Sequence, residues 1–107
     1  VRNVLFVCGR NRLRSPTAEQ IFSKRADLAV ASAGIDHDAD EVLSTEHLAW
    51  AEIVFVMERK HRAKLQRRHR AALNQVRLIC LDIPDVYDFM EPDLIRLLEA
   101  KVTPHLR

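Results

Sequence analysis

Val4-Leu-Phe-Val-Cys-Gly-Arg-Asn-Arg-Leu-Arg-Ser-Pro-Thr-Ala-Glu19 joins an apolar, β-branched run to a segment with helix-start chemistry, and a cysteine and an arginine flank the junction. Val4–Val7 has the length and composition of a strand buried on both faces. Pro16, directly after Ser15, suits the first turn of a helix, where a missing N–H costs nothing. Between Cys8 and Arg14 lie Gly9, Arg10, Asn11, Arg12 and Leu13. A loop of that length can curl so that successive backbone N–H groups point inward, and the positive end of the following helix completes a nest for an anion.

Outward from this junction, three further apolar runs, Leu28–Ser32, Ile53–Met57 and Val76–Leu81, alternate with helical patterns. Ala18, Ile21, Phe22 and Ala26 recur at helical spacing, as do Leu94, Leu97, Leu98 and Val102 behind Pro92. A short helix is expected after Ser44, carrying Leu48 and Trp50, and a basic one from Glu58 to about Ala72. The alternation predicts an α/β fold: one three-layer domain over residues 1–107, with a four-stranded parallel sheet flanked by helices. At 107 residues and 48% hydrophobic content the chain can fill one core and is too short for two ordinary domains. Such folds bind ligands where strand ends meet helix starts, and Val7–Ser15 is the first such place.

The residue types there favour one chemistry. Arg14 can clamp two oxygens of a phosphate through its planar fork, and the same positive field stabilises a thiolate at Cys8, making it a nucleophile. Ser15 could hydrogen-bond that sulfur and help it leave, or it could cap the helix. A proton donor for the leaving oxygen is expected near another strand's C-terminal end. Ile83-Pro-Asp-Val-Tyr87 follows the fourth strand, which makes Asp85 the candidate acid and Asp82 its alternative.

Charge and cysteine usage exclude other classes. Seventeen Lys and Arg against fifteen Asp and Glu give a net charge of +2, too near balance to imply nucleic acid, and no aromatic residue interleaves with the basic run Arg59–Arg70 to stack on bases. That run reads as a solvated helix face, with a docking surface for an acidic partner as the alternative. Two cysteines are too few for a disulfide scaffold, and Cys80, in a strand-like run, reads as a buried core thiol. No apolar run approaches the ~20 residues that span a bilayer, and Val4–Val7 is too short for a leader. The expectation is a reducing, cytoplasmic compartment with no membrane partner. His37 among Asp36, Asp38 and Asp40 lacks a second histidine at ligand spacing, so a solvated loop is expected there, without a metal or other cofactor.

At these residues the chain resembles the low-molecular-weight protein tyrosine phosphatases, whose signature runs Val-Cys, a glycine-asparagine turn, Arg-Ser-Pro and an alanine-glutamate pair. Ser32-Ala33-Gly34, Ala51–Glu58 and Ile83–Tyr87 are similar to that family's second-strand ending, its Ala-Asp-x-Ile-x-Val-Met-Glu segment and its Asp-Pro-Tyr acid loop. The resemblance implies Cys8 as nucleophile, Arg14 as phosphate clamp, Asn11 as a loop-shaping residue, Ser15 as thiolate partner and Asp85 as general acid. It also implies a metal-independent reaction through a phosphocysteine, on a phosphorylated protein, phosphotyrosine first, or a small phosphomonoester. Four positions depart from the pattern. Arg10 stands at the loop glycine, with Gly9 left to supply backbone freedom; Leu13 replaces a second cysteine; Val86 replaces a proline. The stretch from Gly34 to Ser44 is short, which leaves Tyr87 to flank an aromatic leaving group.

Two relatives of this chemistry fit less well. Arsenate reduction on this fold relays electrons through additional cysteines, and only Cys80 remains; phosphoarginine hydrolysis would bring a guanidinium leaving group toward Arg12. The non-enzymatic alternative is a phosphoanion-binding regulatory domain.

Overall fold

A computed structural model of the chain describes residues 1–106. The first strand, β1 (Arg2–Cys8), is central: β2 (Leu28–Gly34) pairs with it on one side and β3 (Ile53–Val56) on the other, and β4 (Arg77–Cys80) extends the sheet beyond β3. All pairings are parallel, in the order β2-β1-β3-β4. The chain moves outward from β1 to β2, then crosses back over β1 to β3. The carboxyl ends of β1 and β3 therefore flank the point where winding reverses, which is where an open α/β sheet leaves a crevice.

Strand alternation sorts the core into two layers. Val4, Phe6 and Cys8 of β1 and Ile53 and Phe55 of β3 face α1 (Arg14–Phe22) and α4 (Pro92–Val102), which contribute Ala18, Phe22, Leu94, Leu98 and Val102. Phe6 lies between Phe22 and Phe55, with ring centroids 5.6 and 5.3 Å apart. Leu5, Val7, Val54 and Val56 face the other way, onto Leu48 of α2 (Thr45–Trp50) and Leu65 of α3 (Arg59–Arg68). Burial of both faces explains why β1 reads as an unbroken apolar run.

The helix starts carry the local chemistry expected of them in three cases. Ser44 caps α2 and forms a capping box with His47; Glu58 does the same for α3 with His61; Pro92 opens α4. The fourth case differs: α1 begins at Arg14, with Leu13 at its N-cap, so Ser15 is inside the helix and does not cap it. This helix also stops at Phe22, and Ala26 is exposed in the turn to β2. The basic run is mostly solvated, as expected, apart from buried His61 and Leu65. Cys80 departs from expectation: it is half-buried at the end of β4 rather than inside the core. No helix among the described residues is long and apolar enough to cross a membrane.

Candidate active site

The loop after β1 takes its shape from a neighbouring segment. The carbonyls of Cys8, Gly9 and Arg10 accept hydrogen bonds from the N–H groups of Ile35 (2.9 Å), Asp36 (2.9 Å) and Asp40 (3.1 Å). In a trans peptide the N–H points opposite to the C=O, so these three bonds turn the N–H groups of Gly9, Arg10 and Asn11 toward the loop's centre. The Asn11 N–H shows the direction, donating to Cys8 Sγ at 3.2 Å. The chain reverses at Asn11 itself, with φ of 56°; neither glycine has positive φ, so the permissive role expected of Gly9 falls to an asparagine, which tolerates this conformation. Gly34 is needed for a different reason. A Cβ there would overlap the Ala39 Cβ and stand 2.7 Å from the Gly9 carbonyl oxygen.

Cys8 is 3% exposed, its sulfur 2.9 Å from Ser15 Oγ. Ser15 Oγ is in turn 2.8 Å from Asn11 Oδ1. A serine hydroxyl has one proton, so the network has two settings. With Cys8 as a thiol, its S–H donates to Ser15, which donates to the Asn11 carbonyl oxygen. With Cys8 as a thiolate, Ser15 donates to sulfur, and a flipped Asn11 amide donates to the serine oxygen. Asn11 and Ser15 are buried beneath the loop and serve its floor rather than its surface.

Arg14 is 4% exposed and firmly held. Its Nη1 donates to Glu58 Oε2 and to the Ile83 carbonyl, both at 2.7 Å. These bonds occupy both Nη1 protons and leave the Nε and Nη2 edge of the fork for two oxygens of an anion. Burial pushes the Glu58 carboxyl up, but the Arg14 hydrogen bond and charge, with His61 and Lys60, more than offset this and hold it below the usual carboxylate value. The Glu58 N–H donates to His61 Nδ1 at 3.2 Å, which puts the imidazole proton on Nε2 in the neutral ring. Burial, then the Arg14 charge, lower His61 to about 4. Neither Glu58 nor His61 stands out in the sequence as a site residue. The period of α3 was the available signal, since His61 and Leu65 are four apart on one face.

A cleft of about 420 Å³ opens above the loop, lined by Cys8, Gly9, Arg10, Arg12, Leu13 and Arg14 together with Asp36, Lys60, His61, Lys64 and Asp85. Asp85 is at the mouth, 63% exposed, its Oδ1 3.7 Å from Arg14 Nε. Asp82 is elsewhere: it faces Arg59 and Cys80 and lines no part of this cleft. Tyr87, expected beside the substrate, is half-buried against the core layer of α1 and α4 and also lies outside the lining.

The family model described as low molecular weight phosphotyrosine protein phosphatase matches residues 3–43, a segment that contains the whole loop and the strand that supports it. No curated protein sequence matches significantly. Among solved structures, Wzb of Vibrio vulnificus in complex with benzylphosphonate superposes with a TM-score of 0.79 at 21% identity, over 97% of this chain and 96% of that one. The tyrosine phosphatase Wzb of Escherichia coli K30, in complex with phosphate, gives 0.74 at 20% identity, over 96% and 94%. The YwlE arginine phosphatase of Geobacillus stearothermophilus gives 0.68 at 22% identity, over 98% and 95%. Identities this low speak for the fold, and the named substrates differ among these proteins. Residues 3–43, with the stretch Cys8–Ser15 inside them, are thus similar to the low molecular weight phosphotyrosine protein phosphatase family, and the chain as a whole shares the fold of these phosphatases.

Proposed function

We propose that the protein hydrolyses phosphate monoesters in two steps through a phosphocysteine. The observation that carries this reading is the convergence on Cys8 Sγ of the Ser15 hydroxyl at 2.9 Å and the Asn11 N–H at 3.2 Å, within a loop whose peptide N–H groups turn inward. The Asn11 N–H donates to sulfur and the Ser15 hydroxyl is placed to do the same, and a thiolate is the form that must attack phosphorus. The loop N–H groups and the free edge of Arg14 bind the phosphoryl oxygens and stabilise charge as it spreads over them.

In the first step the Cys8 thiolate forms the S–P bond while the P–O bond to the leaving group breaks, and Asp85 gives its proton to the departing oxygen. In the second, water attacks the phosphocysteine, Asp85 takes the water's proton, and sulfur leaves as a thiolate that Ser15 stabilises. Inorganic phosphate is released and the starting state restored. Asp85 suits both tasks because it stands at the mouth, beside the Arg14 edge and open to solvent.

An oxygen leaving group, phosphotyrosine foremost, fits better than phosphoarginine, since Arg10, Arg12 and Lys60 already line the space a leaving guanidinium would enter. Arsenate reduction by thiol relay is disfavoured because Cys80 packs on the opposite sheet face from Cys8.

Turnover of an aryl phosphate by the wild type, Cys8→Ser and Asp85→Asn tests the scheme. Cys8→Ser is expected to show none, and Asp85→Asn a turnover number lower by roughly 10²–10⁴, most severely with poor leaving groups. Turnover by Cys8→Ser would refute the nucleophile. Wild-type binding of phosphate without any turnover would favour the regulatory-domain reading instead.

A further inference from the structure

We infer that the preferred substrate carries a second anionic group beside the phosphate that is removed, and that Arg10, Arg12, Lys60 and Lys64 select for it; this rests on the phosphatase reading above. The four cations come from two walls of one cleft. Arg10 and Arg12 alternate along the loop, while Lys60 and Lys64 are four apart on α3 and so share a helix face. Only Asp36 and Asp85 oppose them among the lining side chains. The remaining charges there, Arg14 and the Cys8 thiolate, belong to the transferred phosphate.

These cations are free to turn toward a ligand to different degrees. Arg10 is 3.5 Å from Asp38 and Arg12 3.3 Å from Asp40, in exposed pairs of the kind that contribute little to stability. Lys60 is less committed still: its nearest acid is Glu58 at 3.9 Å, and that carboxylate is already engaged by Arg14. Lys64 is the most committed, donating to Asp36 at 3.2 Å. A net positive wall with low-dielectric flanks concentrates anions and orients them. Discrimination by ring stacking has no counterpart here, because no Phe, Tyr or Trp lines the cleft, the His61 ring is buried, and Leu13 is the one aliphatic side chain in the lining.

Two matched substrate pairs test the inference and separate two sources of the second anion. One pair is a phosphotyrosyl peptide with glutamates flanking the phosphotyrosine and its glutamine counterpart. The other is 4-carboxyphenyl phosphate and phenyl phosphate. The acidic member of at least one pair is expected to have a kcat/KM about tenfold higher, chiefly through KM, and to lose that advantage in ~0.5 M salt. Preference in the small pair places the anion within the leaving group, and preference confined to the peptides places it on flanking residues. Lys60→Gln/Lys64→Gln should shrink the preference severalfold, and Lys60→Glu/Lys64→Glu should reverse it; ratios within one variant are insensitive to any loss of folded enzyme. Equal turnover within both pairs, or a preference that survives both double variants, would overturn the inference while leaving the phosphatase reading intact. No wild-type turnover of all four substrates would overturn both.

Discussion

Glu58 Oε2 lies 2.7 Å from Arg14 Nη1, so a carboxylate at the start of α3 fixes the arginine at the start of α1 across the mouth of the sheet. The Ile83 carbonyl takes the other Nη1 proton. Glu58→Gln keeps an acceptor oxygen but removes the charge that aligns the fork, and a turnover loss on the order of tenfold is expected. Arg14→Lys should be far worse, since one ammonium cannot reach Glu58, Ile83 and two phosphate oxygens together. Steady-state kinetics on an aryl phosphate check both, and near-normal Arg14→Lys kinetics would place this arginine outside the reaction.

His61 ties stability to pH. It is 2% exposed and lowered to about 4 by burial and by Arg14, so the folded protein resists a proton that the unfolded chain accepts near pH 6.5. A depressed value stabilises the fold above the unfolded pKa, and the benefit is lost as pH falls through the folded one. Between pH 6.5 and 4 the loss amounts to roughly 3 kcal/mol. Urea unfolding at a series of pH values is expected to show this slope in the wild type and a flatter one in His61→Gln, whatever the variant's absolute stability. Parallel slopes in the two proteins would show that His61 does not cause the dependence.

Gly34 touches the loop from behind, 2.7 Å being all that separates a would-be Cβ from the Gly9 carbonyl. Gly34→Ala should therefore displace the peptide planes that aim at the anion. Phosphate affinity is expected to fall about tenfold or more, with secondary structure retained. Isothermal titration with inorganic phosphate beside circular dichroism tests this, and unchanged affinity would mean that the loop yields without cost.

Oxidation should be hard to reverse. Val7 aligns with Val56, and Val56 with Cys80, so Cys8, one residue past that register, is more than two strand spacings, about 9.6 Å, from Cys80, and their side chains lie in opposite core layers. A disulfide needs Cα atoms within about 7 Å. Burial, first, and the Asp82 charge also keep the Cys80 thiol above its usual value. Peroxide is thus expected to add oxygens to Cys8 and abolish activity that dithiothreitol does not fully restore, with phosphate protecting. Intact mass decides: a loss of about two daltons, the mark of a disulfide, would contradict this, and Leu13→Cys should restore recovery.

Much of this architecture is legible in the residues because it is local or periodic. Runs buried on two faces announce β1 and β3, and Ser44, Glu58 and Pro92 mark helix starts through chemistry confined to one turn. What escapes is tertiary. Ser15-Pro16 imitates a cap, yet α1 begins at Arg14 because the loop reverses at Asn11. Ala26 fits the helical period but lies past the point where the chain leaves for β2. The fourth strand's end holds both aspartates, and only the path of the chain after Asp82, itself at φ 54°, carries Asp85 rather than Asp82 to the cleft. Tyr87, two residues on, turns toward the core instead. The importance of Glu58, His61 and Gly34 comes from partners distant in sequence, which no local pattern encodes.

The three hydrogen bonds from Ile35, Asp36 and Asp40 to the loop carbonyls separate the motif from the site. Cys8 to Ser15 is contiguous in the chain, but the direction of its peptide planes is supplied by residues beyond β2. A nascent or partly unfolded chain can therefore display the whole signature and hold no anion, since its amides have no reason to point the same way. Anion affinity is then a property of the completed β1–β2 pairing, and inorganic phosphate, by binding the finished form alone, should draw the folding equilibrium toward it by mass action.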